Sequence, residues 1–222
     1  MLPAVQLKLN QCLYLKDPES SELGLRIITG SIDLIAEIGF EHFTFRKLGT
    51  RIGSTEASIY RYFESKYKLL LYLISWYWGW MEYRVSFAIA NIESPEEQLQ
   101  RALPLLTGPV KPDGQFEHID EVKLNHIVIS ESSKAYLVKE VDEVNQEGVF
   151  VIYKRLVDNL SKLILQINPQ FKYPHMLIST VVEGSHHQRF FAEHLPRLTD
   201  IVKGEDAVSE FYNQMVFKII KP

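Results

Sequence analysis

Residues 53–66 read GSTEASIYRYFESK, and the fold turns on them. Gly53, Ser54 and Thr55 form a tight break between two short amphipathic segments. Glycine suits such a turn because it reaches positive φ without a Cβ clash. Before the break, Thr44 stands where a helix N-cap belongs. Phe45, Leu48, Gly49 and Ile52 then give the apolar side of a short helix that Gly53 ends. After the break, Ser54 or Thr55 caps the next helix, Glu56 to about Tyr62, which turns Ile59 and Phe63 inward. Ser65 caps a long helix from Lys66 to about Ile89. Two short helices joined by a glycine-containing turn are the signature of a helix-turn-helix.

Upstream, Leu25, Ile28, Ile32, Ile35 and Gly39 share one helical face, and Gly39 is a plausible stop. In residues 1–20, Val5, Leu7, Leu9, Leu13 and Leu15 alternate with mostly polar neighbours, which is the period of a strand. A lone strand has no partner, so a flexible or docked arm fits equally well. Downstream, Ser94-Pro95-Glu96-Glu97 opens a helix with a cap and a helix-starting proline. Residues 107–114 carry glycines and prolines and read as a loop. Helical periodicity resumes over 119–130 and over 134–167, where Asn168-Pro169 stops it. Pro174 opens a helix to about His194, and 205–220 is the last. The reading is therefore all-α, with an arm at 1–20, a three-helix head at 21–68 and a helical body at 69–222.

The chain has 222 residues, 46% hydrophobic and 23% charged, ordinary values for a globular protein with a sizeable core. The formal net charge of −4 argues by itself against nucleic acid, since non-specific DNA affinity comes from Lys and Arg neutralising phosphates. Its distribution argues the other way. From Thr44 to Lys68, the cations Arg46, Lys47, Arg51, Arg61, Lys66 and Lys68 outnumber the anions Glu56 and Glu64. A basic patch on an acidic body suits contact with DNA in one place. Cys12 is the single cysteine, so no intrachain disulfide points to secretion. The N-terminus lacks a signal-peptide pattern. The most apolar run, Leu69 to Met81, is shorter than the about 20 residues of a membrane span. A cytoplasmic protein with no membrane partner is expected.

The run Gly39-Phe40, Thr44, Leu48-Gly49, Ile52-Gly53, then Thr55-Glu56-Ala57-Ser58-Ile59-Tyr60-Arg61-Tyr62-Phe63-Glu64-Ser65-Lys66 and Leu69-Leu70 resembles the TetR (tetracycline-repressor-like) family. The resemblance covers about residues 22–72 and is strongest in I-Y-R-Y-F-E-S-K. Gly49 departs from the family's usual alanine, weakening its helix by up to about 1 kcal/mol. Ser54 replaces the usual valine and removes an apolar plug. The resemblance implies an N-terminal helix-turn-helix head and a C-terminal effector-binding and dimerisation domain. It also implies that Thr44, Tyr60, Tyr62 and Lys66 hold phosphates.

In a helix-turn-helix the second helix enters the major groove N-terminus first. Thr55, Glu56, Ala57 and Ser58 are thus expected near bases. Glu56 either accepts from cytosine N4 or merely favours the helix N-terminus. Ala57 fits a thymine methyl. Arg61 fits a guanine or a phosphate, and Arg46 joins the basic patch. Thr44, Thr55 and Ser65 are caps, and Tyr62 has a rival reading as core packing beside Phe63. In the long fourth helix Trp76, Trp80, Tyr83 and Phe87 either line an apolar effector pocket or belong to the core. Glu183 and His187 stand at i, i+4, a spacing that can share a metal. No H-E-x-x-H or cysteine cluster supports them, so no metal and no cofactor are expected. In the family's layout Leu177, Val181, Phe190, Phe191, Phe211, Met215 and Ile219, in the last two helices, pair with their copies.

No G-x-S-x-G, P-loop or dinucleotide fingerprint is present, and no catalytic residue is assigned. The expected function is a dimeric regulator, a repressor, that binds a near-palindromic double-stranded operator and is released by an unknown small-molecule effector. The alternative is a helical small-molecule-binding protein without specific DNA recognition. An all-α hydrolase or transferase stands third.

Overall fold

The structure, a computed structural model, describes residues 7–221. Val5, part of the alternating N-terminal pattern, lies outside them. Eleven helices form among the described residues, and no strand: α1 (Glu22–His42), α2 (Phe45–Ile52), α3 (Glu56–Tyr60), α4 (Lys66–Ile89), α5 (Pro95–Thr107), α6 (Glu121–Glu131), α7 (Ser133–Tyr136), α8 (Val141–Gln146), α9 (Val151–Ile167), α10 (Pro174–His194) and α11 (Ala207–Ile220). They gather into two compact units. The first holds the chain up to Gly79 together with Val110–Val151, and the second holds Trp80–Pro109 and the chain from Ile152 on.

In the first unit the caps do the local work. Ser21 Oγ accepts from Gly24 N–H, Thr44 Oγ1 from Lys47 N–H, Thr55 Oγ1 from Ser58 N–H and Ser65 Oγ from Lys68 N–H. Each satisfies one of the donors that a helix start leaves orphaned. Gly39 bends α1 instead of ending it. Its φ of 73° breaks the helix, and Phe40–His42 add a further turn. The freed Phe40 N–H donates to Glu131 on α6 at 3.2 Å. Lys134 then bridges Glu131 and Glu41 at 2.6 and 2.9 Å. The core centres on α4, with Leu69, Leu70, Leu73, Trp76 and Tyr77 fully buried, along with Phe43, Phe63, Ile27 and Ile28.

The continuous helix expected over 134–167 is broken into α7, α8 and α9. Leu137 leaves helical geometry with its side chain 83% exposed. Gly148 takes φ 82°, a conformation that stops a right-handed helix. The N-terminal segment is not a strand either. Gln11–Leu13 and Pro18–Ser20 are 3-10 turns, and Leu13 is fully buried.

In the second unit α5, α10 and α11 pack on one another. At Gly184 a Cβ would fall 2.3 Å from the Tyr212 hydroxyl, so glycine lets α11 approach α10. The Arg189 guanidinium donates twice to Thr107 O, at 2.9 and 2.6 Å, and once to Asp206, which also caps α11. His186 is buried, and desolvation pushes its pKa down to about 4. The unfolded histidine, near 6.5, binds its proton first, so stability falls as the pH drops below that value. From pH 6.5 to 5 the loss is about 2 kcal/mol. It should read as a falling melting temperature whose slope flattens in His186→Gln; an unchanged slope in that variant would assign the acid sensitivity elsewhere.

Candidate nucleic-acid interface

The helix-turn-helix is built from α2 and α3. Gly53 closes α2 in the left-handed region, φ 65° and ψ 41°. Its N–H bonds Gly49 O, and Ser54 N–H reaches the same carbonyl at 2.8 Å. A Cβ at Gly49 would stand 2.8 Å from Ser54 O, so the glycine read as a weak point in α2 permits a tighter turn. The second helix is shorter than expected. It ends at Tyr60, and both Tyr62 N–H and Phe63 N–H donate to Ile59 O. Ile59 is its one fully buried side chain.

Thr55, Glu56, Ala57, Tyr60 and Arg61 are exposed on and around α3, Ser58 is half-buried, and Thr44 and Arg46 are exposed at the start of α2. The Tyr60 ring meets Phe45 edge-on at 4.9 Å, which leaves the tyrosine 48% exposed. Thr55, Ser58 and Arg61 form one chain of contacts. The two hydroxyls lie 2.8 Å apart, and Arg61 donates to Ser58 Oγ at 3.1 Å. This presents a cation and two hydroxyls from one face.

Tyr62 and Lys66 point elsewhere. Tyr62 is buried, its hydroxyl 2.8 Å from Ser21 Oγ and 3.3 Å from Lys16 Nζ. The hydrogen bond to Ser21 first, and Lys16 beside it, hold its pKa below the usual phenol value. Lys66 donates to Phe40 O, Glu41 O and Phe43 O at 3.1, 3.3 and 3.3 Å, above the Phe40 ring. An ammonium has three protons, and these three carbonyls at the end of α1 take them all.

The basic patch thins in the same way. Arg51 pairs with Glu37, and Lys68 with Glu147. Among the described residues, Arg46, Lys47 and Arg61 are the exposed cations of the window with no carboxylate partner. The sequence reading did not single out Lys16, which the chain brings to Tyr62 from 46 positions away; residue type and spacing carry no signal for that.

The four aromatics of α4 do not gather. Trp76 is fully enclosed, edge-on to Phe116, with its indole N–H on Glu19. Trp80 is equally enclosed beneath the Arg84 guanidinium. Tyr83 stacks on Phe87, which is 76% exposed. A cleft of about 340 Å³ lies against α1 and α6, bordered by Ile35, Gly39, His126 and Glu131, and none of the four aromatics lines it.

On α10, Glu183 accepts from Tyr153 at 2.8 Å, His187 stacks on Phe191, and the His194 ring meets Phe190 at a 48° tilt, 4.4 Å between centroids. Among the described residues no three metal-ligating side chains cluster. Leu177 and Val181 are buried within the chain itself, whereas Phe211 and Ile219 are 57% and 47% exposed. No helix of the described residues is long and apolar enough to cross a membrane.

Residues 27–73 match the family model described as bacterial regulatory proteins, tetR family. No curated protein matches the chain significantly in sequence. Three solved structures share the fold over nearly the whole chain. AibR, crystallised in complex with isovaleryl coenzyme A and operator DNA, is 16% identical, with 88% of this chain and 97% of that one covered at a TM-score of 0.57. PfmR, a TetR family transcriptional regulator from Thermus thermophilus, is 14% identical, with 88% and 97% covered at 0.58. The superantigen PfiT is 12% identical, with 92% and 98% covered at 0.59.

Proposed function

From the premise that this chain carries a TetR-family DNA-binding head in a TetR-like all-helical fold, we propose that it is a homodimeric, cytoplasmic transcriptional repressor released from its operator by a small molecule. One observation carries the reading: the short helix after the αL glycine exposes Thr55, Glu56, Ala57, Tyr60 and Arg61 beside Thr44 and Arg46. The early positions, Glu56 and Ala57, read base edges, with Ser58 and Thr55 beside them. Arg46, Arg61, Tyr60 and Thr44 hold phosphates and set the register. Tyr62 and Lys66 act through the fold of the head, since their polar atoms are already taken.

A second copy covers Phe211 and Ile219 of α11, with the half-buried Met215, Phe190 and Phe191 at their side. Two heads then reach half-sites about 34–36 Å apart on a near-palindrome. The effector acts by binding one head spacing better than the other. Acyl-coenzyme A thioesters are the first compounds to try, because AibR was crystallised with one.

The test is binding of the purified protein to its own upstream DNA, titrated against salt, with a random-sequence selection alongside. Steep salt dependence and an enriched palindrome are expected. Arg46→Ala and Arg61→Ala should each weaken binding to every sequence and lower the salt slope by about one unit. If neither variant moves the slope, the interface lies elsewhere. If the selection enriches nothing, the chain is a ligand-binding protein whose head does not read DNA. The internal commitment of Tyr62 and Lys66 favours that second reading.

A further inference from the structure

The five-residue α3 is too short to hold itself in helical form. Phe45 meets the Tyr60 ring from within the head. A second support comes from a part of the chain that the DNA reading leaves without a role. The segment before α1 fastens on Tyr62, two residues past the end of α3. Leu15 N–H donates to Tyr62 O at 2.8 Å, Lys16 Nζ lies 3.3 Å from the Tyr62 hydroxyl and 5.0 Å from its ring centroid, and Ser21 Oγ is 2.8 Å from the same hydroxyl. Backbone, side chain and helix cap thus converge on one residue.

The other end of the segment is anchored just as specifically. Asn10 Nδ2 donates to Glu147 O at 2.8 Å, and Cys12 Sγ reaches the same carbonyl at 3.6 Å. Glu147 stands in the turn between α8 and α9, and its carboxylate pairs with Lys68 on the first turn of α4 at 2.6 Å. The next residue is Gly148, where a Cβ would sit 3.0 Å from Asn10 Nδ2. Between the two anchors Leu13 is fully buried. At the α1 side, Gly24 makes room for Pro18, whose carbonyl oxygen would lie 2.1 Å from a Cβ there. Every link sits within the first compact unit.

We propose that residues 7–20 are a strap that positions the DNA-reading helix and links its end, at Tyr62, to the α8–α9 turn at Glu147. Asn10, Leu13 and Lys16 are its positioning residues. The strap rests on the reading of α3 as the DNA-contacting helix, but its physical claim is testable without DNA. A shift of the α8–α9 turn reaches the reading helix through the short stretch from Asn10 to Lys16, anchored at both ends, independently of the contact between α1 and α6.

The experiment is amide hydrogen exchange of the full-length protein, free of DNA, in the parent, Asn10→Ala, Leu13→Ala and Leu13→Met. In Asn10→Ala and Leu13→Ala, residues 56–63 should exchange at least about tenfold faster while α10 and α11 keep their protection. Leu13→Met, which refills the space, should restore the parent rate. Affinity for the parent's DNA site should fall with the same ranking and an unchanged salt slope, because Asn10 and Leu13 neutralise no phosphate. Unchanged exchange at 56–63 in Asn10→Ala and Leu13→Ala would overturn the strap. So would loosening spread equally over α10 and α11, which marks a general packing element. So would a Lys16→Ala variant that lowers the salt slope while Asn10→Ala does nothing, which makes Lys16 a direct phosphate contact. A parent that binds no DNA yet shows the local change in exchange refutes the DNA reading and leaves the strap standing.

Discussion

Replacing Trp76 by alanine should destabilise the protein by about 4 kcal/mol, the range in which buried tryptophan truncations fall. The side chain is fully enclosed, so deleting it removes apolar burial and leaves a cavity that the neighbours close only in part. It also removes the edge-on contact with Phe116 and the indole donor from Glu19, a carboxylate that also accepts from the Tyr72 hydroxyl. For a chain of this length the melting temperature should fall by roughly 8–16 °C. Thermal unfolding followed by circular dichroism measures it. A midpoint within about 2 °C of the parent, joined to a changed affinity for a small molecule, would return Trp76 to the role of a pocket wall.

Lys66→Ala is the second large effect, and its character matters more than its size. The ammonium satisfies three carbonyls at the end of α1, and hydrogen bonds from a charged donor contribute more than neutral ones. Removing it should destabilise the free protein by about 2 kcal/mol, a drop of roughly 4–8 °C in the melting temperature. Lys66→Met, which keeps the stem but no donor, should behave alike. DNA affinity should weaken in both variants with no change in salt slope, since no phosphate loses its partner. An unchanged melt with a lowered slope is the opposite result, and it would make Lys66 the phosphate contact that the family resemblance implies.

The two variants mark what a sequence conveys. Local chemistry was legible, because a cap needs only its own side chain and a donor three residues on: Thr44, Thr55, Ser65 and Ser94 all cap as read. The αL turn at Gly53 was legible for the same reason. What depends on distant partners was not. Tyr62 and Lys66 are donors in a family motif, but their partners lie 41 and 23 or more positions away. The aromatics of α4 read equally as pocket lining or core, and nothing in their spacing says that Trp76 is enclosed while Phe87 is bare. The stretch 134–167 keeps a helical period although it is three helices. Gly148, read as one residue in a periodic run, is the stop. The N-terminal alternation came from separate packing tasks, with Leu13 in the core and Leu7 and Leu9 against Gly79 of α4.

The unit that carries α2 and α3 is made of two pieces of chain, with thirty residues of the other unit between them in the sequence. Its fastenings follow suit: Asp33 to Lys123, Phe40 to Glu131, Tyr77 to Asn125, Lys68 to Glu147. During synthesis, then, α2 and α3 are made well before the residues of α6 and the α8–α9 turn that fasten α1 and α4. The chain up to Gly79 holds α3 with Phe45, Lys16 and Ser21 beside it, but none of Lys123, Asn125, Glu131 and Glu147. The first unit is complete only once the chain runs through Val151, when Trp80–Pro109 of the other unit has been made and the stretch from Ile152 on has not.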